Sequence, residues 1–394
     1  MRVLFTLQPA AGHLHPLVPL AEALIRVGHS VAFCAASSFR LEVEAFGFPC
    51  FAAGRDWLMG NHSTWAQFPP LPPPGPGLPT AVALFAEHTP EPMVADLLDI
   101  ARDWVPDLVI RDSLEFGGCL AAERLHLPHA SVAVNAYGAL APSRQPLDWR
   151  RVAEPLDHHR AALDLPPDPD LRMPYRHLHL CFAPPRWDGP GACLAANARF
   201  LRHVSTVRPG STLPAWIDEL PDRPTVLASL GTVFSATPGI LEAILAGLGE
   251  EPVNLIVSIG RDQDPTRFGR QPSNVRLEPS VPQPLLLTRC DAFVTHGGFN
   301  SVKEALSVGV PMVVLPIAGD QPYTAARCAE LGVGRVVGAN DRTPAAIREA
   351  VRRVLHDPSY RTNARRFRDE MATLPGSDHA VALLEQLPNA GSAG

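Results

Sequence analysis

A histidine and two glycines join an apolar run to a helix in Ala292-Phe293-Val294-Thr295-His296-Gly297-Gly298-Phe299-Asn300-Ser301-Val302-Lys303-Glu304. Glycines let backbone N–H groups close on an anion, and the helix that follows adds unpaired donors and the positive end of its dipole. His296 can supply a proton or a hydrogen bond. Asn300 and Ser301 fall in the first turn, and Glu304 lies one turn further along the same face, where a ribose diol could be reached. These residue types at this spacing suit the diphosphate and ribose of a nucleotide.

A second pair sits where strands should end. His13 follows Gly12 after the run Val3–Leu7, ahead of an amphipathic helix expected from about Pro16 to Gly28. Asp112 ends Leu108-Val109-Ile110-Arg111, which brings it to the same sheet edge. A neutral imidazole can take a proton from a hydroxyl as that oxygen attacks, and a carboxylate behind it orients the ring and stabilises the imidazolium. His15 falls in the helix cap, where packing or capping accounts for it. His158, His159, His177 and His179 lack carboxylates at metal-ligand spacing and read as loop or strand-surface residues. Asp262-Gln263-Asp264 has the form of a metal-binding triplet but reads as a surface turn, because a diphosphate held by a helix N-terminus and His296 needs no divalent ion. Gly332–Gly338 has the glycine density of a dinucleotide fingerprint, but its spacing is wrong and it precedes a strand, not a helix.

The elements that must carry these residues follow from hydrophobic pattern. Short runs rich in Val, Leu and Phe alternate with helix-length amphipathic segments, the mark of buried parallel strands with crossover helices. One series is Val3–Leu7, Val31–Ala35, Leu108–Ile110 and Ser131–Val134. A second is Val226–Leu230, Leu255–Ile259, Ala292–Thr295 and Met312–Leu315. Between them, Arg208–Pro214 and Pro221–Pro224 read as a linker around a short helix. The expected domains are therefore 1–207, a linker over 208–224, a second domain over 225–372, and a closing segment over 373–394. Pro69–Pro79 reads as an exposed extended loop, and the proline-rich and histidine-rich stretch 142–190 as short helices. Thr343-Pro344 should start a helix to about His356, with another over Thr362–Met371 whose arginines at 361, 365, 366 and 368 form a solvated face.

A chain of 394 residues, 46% hydrophobic and 19% charged, can bury two cores. A net charge of −6 argues against a nucleic-acid partner. Seven scattered cysteines suggest neither a disulfide framework nor a zinc site, and point to a reducing cytoplasm. No run reaches the roughly twenty apolar residues of a membrane helix.

The segment from Cys290 to Glu304, continued by Gly309-Val310-Pro311-Met312 and Pro316-Ile317-Ala318-Gly319-Asp320-Gln321, closely resembles the donor signature of family-one glycosyltransferases. These UDP-glycosyltransferase-like enzymes include the bacterial macrolide and natural-product transferases. The resemblance implies the GT-B architecture: two doubly wound Rossmann-like domains facing a cleft, with a last helix, here Ser377–Leu387, returning to the first. It implies an inverting, metal-independent hexosyltransferase acting from a UDP- or dTDP-sugar on a hydroxyl of a small apolar acceptor. The nucleotide sugar is a co-substrate and no cofactor is required. His13 and Asp112 match the catalytic pair. Gly12, Gly231, Thr232, Ser280, Val281, Gln283, His296, Gly298, Asn300, Ser301, Glu304, Asp320 and Gln321 fall at donor-binding positions; those matching Asp320 and Gln321 hold sugar hydroxyls, and that matching Gln283 meets the base. Ser280 departs from the pattern, which places a stacking aromatic residue there, and Phe299 replaces a tryptophan. A homodimer is left open. The alternatives are a GT-B nucleotide-sugar epimerase and a non-catalytic auxiliary protein of another transferase; intact His13 and Asp112 argue against the second.

Overall fold

The computed structural model describes residues 1–73 and 78–390, so Pro74–Gly77 of the expected proline loop and the tail Gly391–Gly394 lie outside the described residues. The chain divides into two compact units. The first takes Met1–Val204 and the segment from Leu374 onward, and the second takes Ser205–Thr373.

The first unit is built on a seven-stranded parallel sheet of β1 (Arg2–Thr6), β2 (Ser30–Ala35), β3 (Cys50–Ala52), β4 (Leu108–Asp112), β5 (His129–Val132), β6 (Leu178–Cys181) and β7 (Ala198–Phe200), in the order β3-β2-β1-β4-β5-β6-β7. Its central strands are apolar on both faces because helices cover both sides. In register, Phe5 lies opposite Phe33 and Ile110, and the Phe5 and Phe33 rings stack at 4.8 Å. Burying each such ring stabilises the fold by about 1.5–3 kcal/mol.

The second unit repeats the scheme with β8 (Thr225–Ser229), β9 (Asn254–Ser258), β10 (Val275–Glu278), β11 (Ala292–Thr295), β12 (Met312–Val314) and β13 (Gly334–Val336), in the order β10-β9-β8-β11-β12-β13. Each sheet has one point where successive strands run off in opposite directions, between β1 and β4 in the first and between β8 and β11 in the second. The loops leaving those four strands are where such sheets receive ligands. Asp112 ends β4, and Gly12-His13, Gly231-Thr232 and His296-Gly297-Gly298 follow the other three strands.

The helix Ser377–Glu385 belongs to the first unit. Ala380, Val381 and Leu384 enter the core that also holds Val18, Leu20, Ala21 and Leu24 of the helix Val18–Arg26. Arg26–Asp378 at 2.6 Å and His29–Glu385 at 3.0 Å fringe this contact, but such exposed pairs add little beside the apolar burial.

Several expectations are corrected. The helix expected from about Pro16 to Gly28 is present as Val18–Arg26, and a separate single turn not expected from the sequence, Ala11–Leu14, precedes it and carries His13. Pro16 has no N–H to continue a helix, so the chain breaks there. The strand placed after Gly332–Gly338 lies inside it as β13. His179 is not a surface residue; it is fully buried on β6, between the Ser131 hydroxyl at 2.7 Å and the Gly138 carbonyl at 2.8 Å. Burial pulls its imidazole down to about 4. Within 142–190 the chain forms the long helix Trp149–Ala162 and β6 besides short turns. The second C-terminal helix runs Pro358–Thr373, and Arg361 on it pairs with Asp291 at 2.9 Å instead of standing wholly in solvent. The short helix expected within the linker is present as the 3-10 turn Ala215–Glu219, where Arg289 reaches Asp218 at 2.8 Å.

Candidate active site

In the first unit, β1 and β4 deliver the two candidate catalytic side chains together. His13 Nδ1 lies 2.9 Å from Asp112 Oδ2, and Asp112 is completely buried whereas His13 is 12% exposed. The carboxylate is held from both sides: Oδ2 also accepts from Gln8 N–H and Oδ1 from Leu114 N–H, each at 2.7 Å. A carboxylate fixed by backbone donors cannot rotate away, so it favours the tautomer with the proton on Nδ1 and leaves Nε2 with its lone pair. That is the state a general base requires. His15, by contrast, ends the short helix and packs edge-on to Phe46 at 5.9 Å.

In the second unit the loops after β8 and β11 bring Gly231 and Gly298 against His296. Burial pulls the His296 imidazole down to about 4, opposed by a hydrogen bond to the Ser229 backbone, so near neutrality it offers hydrogen bonding and no charge. Glycine is required on both sides of the ring: a Cβ on Gly231 would lie 2.7 Å from His296 Cε1, and one on Gly298 would lie 2.4 Å from Nε2. Gly297 turns the chain at φ +86°, and Gly298, at the N-cap of the helix Phe299–Val308, has no side chain to cap it. A helix N-terminus of this kind, with the dipole behind it, can receive an anion, and an uncharged His296 beside it can add a hydrogen bond but no charge.

Glu304 lies one turn into this helix, almost fully buried, and burial pushes its carboxyl up to about 7. Gln283 reaches it from the start of the helix Gln283–Leu287: Nε2 donates to Glu304 Oε2 at 2.6 Å and to Ser301 Oγ at 3.1 Å. Lys303, the chain's single lysine, is buried with Nζ 4.8 Å above the Phe299 ring. Ser280 is exposed and Val281 half-buried just beyond β10, and Thr232 is exposed beyond β8. Asp320 and Gln321 differ in setting. Asp320 is at the N-cap of the helix Gln321–Glu330, while Gln321 is buried with its Oε1 accepting from Ile317 N–H at 2.7 Å and Ala318 N–H at 3.0 Å. The Gln321 oxygen therefore shapes its own loop, and only its amide NH2 could donate to a sugar hydroxyl. Asp264 accepts from Thr266 N–H at 2.9 Å and from its hydroxyl at 2.6 Å, capping a turn. Among the described residues, no three His, Cys, Asp or Glu side chains gather as a metal site.

Sequence reasoning missed Gln8 and Glu115. Glu115 is buried three residues past Asp112, where Oε2 accepts from the Thr6 hydroxyl and from Gly118 N–H at 2.8 Å, and burial raises its carboxyl. Glutamate is not a favoured helix cap, and it stands one residue before the N-cap Phe116, so nothing in the sequence signalled this contact.

Comparison with known proteins finds relatives over nearly the whole chain. Residues 77–231 match the family model "Erythromycin biosynthesis protein CIII-like, N-terminal domain", and residues 242–387 match its C-terminal counterpart. The 4'-demethylrebeccamycin synthase of Lentzea aerocolonigenes is 30% identical, with 98% of this chain and 99% of that protein covered. The 3-alpha-mycarosylerythronolide B desosaminyl transferase of Saccharopolyspora erythraea is 29% identical, with 98% of each covered. Among solved structures, the glycosyltransferase VinC in complex with dTDP superposes with a TM-score of 0.78 at 26% identity, covering 99% of this chain and 100% of that one. The Streptomyces sp. SF2575 glycosyltransferase SsfS6, complexed with thymidine diphosphate, gives 0.77 at 26% identity, covering 98% and 99%. No helix among the described residues is long and apolar enough to cross a membrane. The chain belongs to the erythromycin CIII-like group of family-one glycosyltransferases, GT-B enzymes of antibiotic and natural-product glycosylation.

Proposed function

We propose that this glycosyltransferase moves a hexose, with inversion and without a metal ion, from a nucleoside-diphosphate sugar to a hydroxyl of a small apolar natural-product aglycone. The observation that carries the reading is the 2.9 Å pair of His13 with a wholly buried, doubly anchored Asp112. In this mechanism His13 Nε2 takes the acceptor proton as the oxygen attacks the anomeric carbon, Asp112 stabilises the imidazolium, and the bond to the diphosphate breaks in the same displacement. Charge developing on the diphosphate is met by the N–H groups of Gly298 and the following turn, with Gly231, Thr232 and neutral His296 as hydrogen-bonding neighbours. Glu304 and Ser301 take the ribose, Gln283 and Val281 the base, and Asp320 and the Gln321 amide the sugar hydroxyls.

A thymidine diphosphate sugar is the favoured donor, because two structural relatives bind that nucleotide. The test is to incubate purified protein with dTDP- and UDP-hexoses and a panel of polyketide and phenolic aglycones, detecting products by mass. A hexosylated aglycone with inverted anomeric configuration is the expected result. Retained configuration, or epimerised donor without transfer, would overturn the reading.

A further inference from the structure

Around the His13–Asp112 pair the first unit closes a circuit that the base-and-carboxylate mechanism does not use. Gln8 is buried just beyond β1. Its backbone N–H donates to Asp112 Oδ2 at 2.7 Å, and its side-chain Nε2 donates to Thr89 Oγ1 and to the Leu114 carbonyl, each at 3.2 Å. Thr89 closes the segment Ala83–His88: its N–H reaches back five residues to the Leu84 carbonyl at 3.1 Å, and its hydroxyl donates to the Phe85 carbonyl at 3.4 Å. The segment is thus wound as a π-turn, a form found mostly as single turns and often at functional sites. It presents Phe85, whose ring centroid lies 6.3 Å from that of His13 at a 50° tilt. Arg55 holds the same end of the segment through Nε to the His88 carbonyl at 3.1 Å.

We propose that Gln8 is a positioning residue that holds the π-turn carrying Phe85 in register with the His13–Asp112 pair, and that Phe85 is the apolar wall against which an acceptor is laid. This inference rests on the transfer reaction proposed above. Each link has a distinct task. The Gln8 backbone N–H fixes Asp112, and the Gln8 side chain fixes Thr89. Thr89 in turn fixes the backbone of Phe85. An aglycone lying on the Phe85 ring then has its hydroxyl set relative to His13 Nε2. Because misplacement of reacting groups by about 1 Å can cost on the order of a hundredfold in rate, a brace of two hydrogen bonds is enough to matter.

The test cuts the brace without touching the catalytic pair. Gln8→Met keeps side-chain length and the backbone bond to Asp112 but removes both donated hydrogen bonds. Thr89→Val removes the acceptor hydroxyl at constant shape, and Thr89→Ser keeps it. Transfer to apolar aglycones should slow about tenfold in Gln8→Met and Thr89→Val and stay near wild type in Thr89→Ser. Hydrolysis of the donor sugar by water, which uses no acceptor wall, should change less than about twofold. Phe85→Ala combined with Gln8→Met should be no slower than Phe85→Ala alone, since residues acting through one link are not additive. Equal loss of transfer and hydrolysis, additive effects, or a Thr89→Val variant indistinguishable from wild type would overturn the proposal. A second readout needs no activity: the His13 Cε1–H resonance should lose its Phe85 ring-current shift in Gln8→Met as it does in Phe85→Ala. If wild-type protein glycosylated nothing, the transfer reading would fall, while an unmoved His13 resonance in Gln8→Met would separately refute the brace.

Discussion

Glu304→Gln should make the second unit more stable at pH 8 while weakening its hold on a nucleotide. Burial raises the Glu304 carboxyl from an ordinary 4.5 to about 7. Between those values the folded carboxyl keeps a proton that the unfolded chain has lost. Stability therefore falls as pH rises through this window, and the full penalty is present above about 7. At about 1.4 kcal/mol per tenfold change in proton affinity, the penalty is on the order of 3 kcal/mol. Glutamine escapes it because it is neutral at every pH, and its carbonyl can still accept from Gln283 Nε2, now 2.6 Å from Oε2. Hydrogen exchange of the amides in Phe299–Val308 reads this unit alone. Protection there should rise in Glu304→Gln at pH 8 and match wild type near pH 4.5. Ribose hydroxyls donating to Glu304 favour its charged form, so nucleotide binding to wild type should release a proton below pH 7 and tighten as pH rises toward 7. In Glu304→Gln that proton release should vanish and affinity should fall by about 1–3 kcal/mol, the cost of a lost charged partner in a buried site. Calorimetry in buffers of differing ionisation heat measures both. Unchanged protection at pH 8 together with unchanged affinity would refute the buried, ribose-facing assignment.

Three further outcomes are expected. Asp112→Asn should lower both turnover and melting temperature, because both carboxylate oxygens accept backbone N–H groups and an amide must turn its NH2 toward one of them, at about 1–3 kcal/mol; a raised Michaelis constant alone would place Asp112 in acceptor binding. Excess chelator should leave transfer within about twofold, and loss that magnesium or manganese restores would contradict metal independence. Ser280→Trp, at an exposed position beyond β10, should add stacking worth about 0.5–1.5 kcal/mol and tighten uridine and thymidine diphosphates alike, and weaker binding of both would displace the base from Val281 and Gln283.

What could be read from the sequence divides by how local the cause is. The central strands announce themselves as apolar runs because both faces are buried, and the stretch from His296 to Glu304 is legible because its loop and helix are contiguous. The edge strands β3, β7 and β13 have three residues each and carry no pattern of their own. β6 was hidden by His179, which is tolerated inside only because Ser131 and Gly138, distant in sequence, satisfy both ring nitrogens. The same holds at the site. His13 and Asp112 could be placed at one sheet edge from strand ends alone. The Gln283–Glu304 bond and the Gln8–Thr89 brace join segments 21 and 81 residues apart and depend on tertiary packing that no spacing encodes.

The central claim is that His13 activates the acceptor, and a single comparison tests it: transfer by wild type and by His13→Ala, with nucleoside diphosphate affinity measured on both. Because a positioned general base contributes about a hundredfold or more, turnover in His13→Ala should fall at least that far while nucleotide affinity stays within about twofold. Substantial transfer by His13→Ala would place the base elsewhere and contradict the account.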